Sequence, residues 1–108
     1  MRPEISVCLA AFNEADVIGR VLGEWWQHFR RKEKSFEIVV IDNNSMDRTS
    51  EVVGKFVRLH KEARLVRNPR NLGYSGSCRV AAKEASGRLV LFTDGDGQYV
   101  PSDADLFL

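Results

Sequence analysis

Four short apolar runs, each ending abruptly in polar residues, constrain the fold of this 108-residue chain more than any other feature. They read ISVCLAA (Ile5–Ala11), FEIVVI (Phe36–Ile41), ARLVR (Ala63–Arg67) and RLVLFT (Arg88–Thr93). Near-continuous apolar runs of this length suit strands covered on both faces. Between them, apolar residues recur at helical spacing. Val17, Ile18, Val21, Leu22, Trp25 and Phe29 give a first helix one core face, which Trp26 broadens. Asn13 is expected to cap that helix, with Asp16 three residues on in a capping-box-like position. A second helix is expected over 49–62, with Val52, Val53, Phe56 and Val57 inward and His60 a partly exposed helix residue, not a ligand. A third is expected over 75–86, with Gly87 as its C′ stop. The order βαβαβαβ predicts one Rossmann-like, three-layer α/β/α domain with a mostly parallel sheet.

Such sheets bind ligands at the carboxyl ends of their strands, where the strand order reverses. Three polar clusters fall at those ends: FNE (Phe12–Glu14), DNNS (Asp42–Ser45) and DGDGQ (Asp94–Gln98). The chain is 44% hydrophobic and 29% charged with a net charge of +1, so no broad electrostatic footprint for nucleic acid exists. No apolar run approaches the ~20 residues of a membrane span. The two cysteines, Cys8 and Cys78, lack metal-site spacing and fall inside regular elements. They are expected to be reduced, buried hydrophobes, which implies a cytoplasmic setting. The charge run RRKEK (Arg30–Lys34) needs only a solvated helix end.

Asp94 and Asp96 stand two residues apart, each followed by glycine. Two anions so close repel, and a hard cation such as Mg²⁺ or Mn²⁺ would join them, with waters or phosphate oxygens completing its shell. Gln98 adds a neutral oxygen within reach of the same ion. A calcium loop fails on spacing. With Gly97 at the obligatory glycine the first ligand becomes Phe92, and with Asp94 first that glycine becomes Tyr99. A solvated Asp-Gly turn is the competing structural reading, and the motif alone does not decide. GYSG (Gly73–Gly76) is neither a P-loop nor a dinucleotide fingerprint, and a flexible lead-in to the third helix accounts for it.

The clusters together are more specific. ISVCLAAFNEADVIGRVL, EIVVIDNNSMDRTSEV and NLGYSGSCRVAAKEASGRLVLFTDGDGQYVP, in that order, resemble the nucleotide-binding half of a family 2 inverting glycosyltransferase with the GT-A fold. The likeness is nearest the dolichol-phosphate mannose synthase and polyprenyl-phosphate sugar transferase branch. The resemblance implies that Ala10, Phe12 and Glu14 line a nucleoside pocket, with Phe12 in place of the usual tyrosine. It implies that Ile41 and Asn43 meet base and ribose, with Asn43 where the family has aspartate; Asp42 joins them as a binding residue or supports the loop. It implies that Asp94, Gly95, Asp96 and Gln98 hold the metal and the diphosphate. Asp94 and Asp96 would then be catalytic, neutralising the leaving nucleoside diphosphate.

The implied partners are a UDP- or GDP-linked sugar and a polyprenyl or dolichyl phosphate. The full-length protein would work at the cytoplasmic face of a membrane. Residues 1–108 would be the donor-binding part alone, because the last segment, PSDADLFL, starts a helix whose stripe stops at Leu108. The chain alone is therefore expected not to transfer sugar, and an open sheet edge makes a homo-oligomer plausible. Two alternatives stand beside this: a non-catalytic nucleotide-binding fragment, and a nucleotidyltransferase. The latter would want a glycine- and lysine/arginine-rich phosphate loop after the first strand, where AAFNEAD is acidic.

Overall fold

A computed structural model describes residues 2–96. Strands β1 (Ile5–Ala11), β2 (Phe36–Asp42), β3 (Ala63–Arg67) and β4 (Leu89–Asp94) alternate with helices α1 (Ile18–Arg30), α2 (Thr49–Leu59) and α3 (Gly73–Glu84). The four strands form one parallel sheet in the order β3-β2-β1-β4. The chain steps outward from β1 to β3, then crosses back to set β4 on the other side of β1. That reversal puts the switch point between β1 and β4, where Ala10 lies opposite Asp94 in register. The predicted three-layer α/β fold is what forms.

Both faces of the sheet are apolar because both are covered. Val7, Leu9, Ile38 and Val40 pack against Ile18, Val21, Leu22, Trp25 and Phe29 of α1 and Val53 of α2. The alternate residues, Cys8, Val39 and Ile41, meet Ala81 of α3 on the opposite face. Each fully buried aliphatic or aromatic side chain contributes roughly 1.5–3 kcal/mol, so α1 is held by its stripe and not by its ends. Trp25 stacks on Phe29 at 5.8 Å between ring centroids. Trp26 lies at the margin of that stripe, its indole N–H donating to Glu62 Oε1 at 3.0 Å. The Cys8 thiol is pushed up to about 11, by burial first and by the Glu37 charge second. Both cysteines are free.

Several local expectations are corrected. Asn13 does not cap α1, which begins at Ile18 with no side-chain cap. Asn13 takes the left-handed conformation (φ 52°) and turns its side chain toward the β2–α2 loop. Helix α2 stops at Leu59, and His60, extended beyond it, stacks on Phe56. Helix α3 begins two residues early, at Gly73, whose φ of 73° makes the sharp turn into the helix. Gly87 is not a left-handed stop. A Cβ there would lie 2.6 Å from the Ser6 backbone nitrogen, so the glycine is required by close passage of β1. Gln98 and the helix expected from Ser102 lie outside the described residues. No helix among the described residues is long and apolar enough to cross a membrane.

Candidate nucleotide pocket at the strand ends

The loops after the strands are hydrogen-bonded into one edge. Asn13 N–H donates to Ser45 Oγ (2.9 Å), and Asn13 Oδ1 accepts from Met46 N–H (2.8 Å). Glu14 N–H donates to Thr49 Oγ1 (2.8 Å) and Ala15 N–H to Asp47 Oδ2 (3.2 Å). These bonds tie the β1–α1 loop to the β2–α2 loop. Gly95 N–H donates to the Ala10 carbonyl at 2.9 Å, continuing β4 alongside β1. A Cβ on Gly95 would stand 2.7 Å from the Ile18 Cδ1 methyl, so the glycine lets the chain turn tightly over α1.

This edge encloses a cavity of about 340 Å³. Its lining includes Ala10, Phe12, Glu14, Asn43, Asp94 and Asp96, six of the ten residues singled out from sequence. Phe12 presents its ring with 42% of the residue exposed, available to a planar group. Ile41 and Asp42 do not reach the cavity. Ile41 is fully buried against Cys8, Val39 and Ala81. Asp42, equally buried, accepts from Ser45 N–H at 3.0 Å and from the Ser50 hydroxyl, with Arg67 4.0 Å away. Asp42 holds the loop from beneath. Gly95 is buried beside Ala10 and is absent from the lining.

Asn43 faces the cavity, yet its amide is committed to the wall. Its Oδ1 accepts from Asn68 Nδ2 (3.0 Å) and Leu72 N–H (2.8 Å), and its Nδ2 donates to Asn71 Oδ1 (2.9 Å). Asn71 Oδ1 also accepts from Gly73 N–H at 2.8 Å. Because Leu72 and Gly73 supply backbone donors, the orientation of both amides is fixed by chemistry. The network ties β2 to the start of α3 and thereby brings Asn71, Gly73, Tyr74 and Ser77 into the cavity lining. Sequence reasoning missed these four. The signal was the GYSG segment, which lies at the ligand edge and is part of α3.

Three carboxylates face one another across the cavity. Burial raises Asp94, and the charge of Asp96 raises it further. Glu14 is also raised, first by burial, then by Asp96, Asp94 and Asp47, against a lowering hydrogen bond from Phe12 N–H. Glu14 Oε2 is buried with no hydrogen-bond partner among the described residues. Glu14 and Asp94, held against their own charge, and Asp96 offer only oxygen donors, the chemistry that suits a hard divalent cation. No three acidic, histidine or cysteine side chains among the described residues are placed to enclose an ion.

The same architecture occurs in solved glycosyltransferases. A mannosyltransferase of Pyrobaculum calidifontis, in complex with GDP-Man and Mn²⁺, superposes with a TM-score of 0.76 and 27% identity over 89% of this chain and 28% of its own. TarS 1–349 of S. aureus, in complex with UDP-GlcNAc, gives 0.75 and 27% over 96% of this chain and 30% of its own. In sequence, a dolichyl-phosphate beta-glucosyltransferase of Trichomonas vaginalis is 30% identical over 92 residues, 81% of this chain and 27% of that protein. The chain therefore spans less than a third of each of these proteins. The profile described as glycosyl transferase family 2 matches residues 6–106, nearly the whole length. On that match, the chain belongs to glycosyl transferase family 2.

Proposed function

We propose that this chain is the donor-binding part of an enzyme that moves a sugar from a UDP- or GDP-linked donor to a polyprenyl or dolichyl phosphate, with inversion at the anomeric carbon. The observation that carries the reading is the cavity at the β1/β4 switch point, whose lining combines the exposed Phe12 with Asp94, Asp96 and Glu14. In this reading Phe12 stacks on the base, and Ala10 and the Asn43–Asn71 wall bound the nucleoside. Asp94 and Asp96, with Gln98, hold a divalent ion together with the diphosphate. A bound Mg²⁺ or Mn²⁺ supplies neutralisation of the charge gathering on the departing diphosphate. The acceptor class rests on the likeness to dolichyl-phosphate transferases. A phosphate nucleophile is already anionic, so attack from the face opposite the leaving group requires no strong general base.

Phe12→Ala tests the donor side. Stacking of one base on an aromatic ring contributes about 1–3 kcal/mol, so the variant should bind UDP and GDP about tenfold or more weakly while keeping its thermal midpoint. Undiminished binding of both nucleotides would remove the base from this ring. On the acceptor side, the full-length gene product, supplied with labelled UDP-glucose or GDP-mannose and polyprenyl phosphate, should form labelled lipid. Label released only as free sugar would overturn the lipid-phosphate assignment.

A further inference from the structure

Beside the carboxylate cavity lies a second groove of about 530 Å³, lined by Arg70, Asn71, Leu72, Gly76, Val80 and, on the outer face of α3, the pair Arg79 and Lys83. Its electrostatics are opposite in sign to those of the first. Three cations line it and no carboxylate does. Some arginines of this chain find acids: Arg20 with Glu24, Arg48 with Glu51, and Arg64 with Glu37 and Glu84. Arg70, Arg79 and Lys83 make no ion pair among the described residues. Arg79 and Lys83 stand one helical turn apart, a like-charge spacing that weakens an isolated helix. On a chain of net charge +1, this is a local concentration of charge.

The helix geometry explains how one element serves two sites. Gly73 and Ser77 of α3 line the carboxylate cavity, while Gly76, Val80 and Lys83 share the adjoining stripe along the groove. Asn71 lines both. Gly76 sets the floor, since a Cβ there would fall 2.5 Å from Leu72 Cβ. Leu72 and Val80 supply an apolar bed beneath the cations.

We propose that this groove binds a phosphate monoester group. Two guanidiniums and an ammonium lining one groove supply N–H donors to phosphate oxygens, and guanidinium in particular matches them bidentately. The apolar floor suits the carbon attached to the phosphate. The phosphate arrives either as the headgroup of a lipid or on a small soluble molecule. The inference does not require that the neighbouring cavity bind nucleotide, because its cations line the groove alone and its probe is different.

The test is a titration of the ¹⁵N-labelled chain, followed by amide shifts, with inorganic phosphate, with phenyl phosphate, and with phosphatidylcholine vesicles with or without phosphatidic acid. Saturable shifts should centre on Arg70, Asn71, Gly76, Arg79 and Lys83. Arg79→Gln combined with Lys83→Gln should weaken binding at least about tenfold, and Arg79→Lys, which keeps the charge and loses the bidentate fork, should weaken it less than the double variant. Thermal midpoints of the variants report whether the fold persists, and Arg70→Gln gives an independent loss outside the helix. Saturation by the soluble phosphates supports a small-molecule source. A response confined to phosphatidic acid vesicles supports a lipid headgroup. Shifts reproduced by sodium chloride at equal ionic strength, or unchanged affinity in the double variant, would overturn the proposal.

Discussion

Asn43→Asp is nearly isosteric and attacks the wall of the cavity at a single atom. The Oδ1 acceptor for Asn68 Nδ2 and Leu72 N–H is retained. The donor to Asn71 Oδ1 becomes an oxygen facing an oxygen at 2.9 Å. Loss of one hydrogen bond costs about 1 kcal/mol, and burying a carboxylate with one oxygen unsatisfied adds about 1–3. Asn71 can turn its amide to donate instead, but Gly73 N–H then loses its acceptor, so the cost does not fall below about 1 kcal/mol. A total near 2 kcal/mol lowers the melting midpoint by roughly 8 °C or more in a domain of this size. The pH dependence has a definite sign. The new carboxyl is raised in the folded state above its unfolded value of about 3.9, so the stability it allows is present at low pH and lost as pH rises through its folded value. Protonated, it carries an O–H that donates to Asn71 and restores the network. Melts at pH 7 should therefore show the deficit, and melts near pH 4 should largely erase it. An unchanged midpoint at pH 7, with altered preference between UDP and GDP, would refute the network and turn this side chain toward the ligand.

Gly95→Ala should cost about 1–3 kcal/mol by overpacking, because the added methyl meets the buried Ile18 Cδ1. Ile18→Val removes that methyl, so denaturant titrations of the pair should show the double variant less destabilised than the sum. Glu14→Gln keeps the Oε1 acceptor for Phe12 N–H and removes a charge that burial and its acidic neighbours oppose. Since the folded value of Glu14 is raised, its ionised form weakens the fold above that value and not below the unfolded value of about 4.3. The variant should therefore gain stability relative to the parent at pH 7, and the gain should vanish near pH 4; a difference independent of pH would contradict the carboxylate cluster.

The strands were legible because burial on both faces writes itself as unbroken apolar runs, and β1 and β3 appear with the bounds read from sequence. The helices were legible through their stripes and not through their ends. Asn13 has the composition of a cap, but the hydrogen bonds its side chain makes are with Met46 and Asp47, more than thirty residues away. Gly87 reads as a helix stop, and what demands a glycine is the neighbouring strand. Both are long-range effects that no local pattern carries. The site followed the same rule. Cluster positions located the cavity, while the division between residues that face it and residues that support it required the packing. Asp42 and Asn43 are adjacent in sequence, yet one is locked beneath the loop and the other forms the wall.

Calorimetric titration of UDP and GDP with and without Mn²⁺, on the parent chain and on Asp96→Asn, decides whether the carboxylate cavity is a metal-assisted diphosphate site. Nucleotide affinity should rise at least about tenfold with Mn²⁺ in the parent and lose that dependence in the variant. Affinity that is independent of Mn²⁺ and unchanged in Asp96→Asn would contradict it, leaving Asp94–Asp96 as a turn.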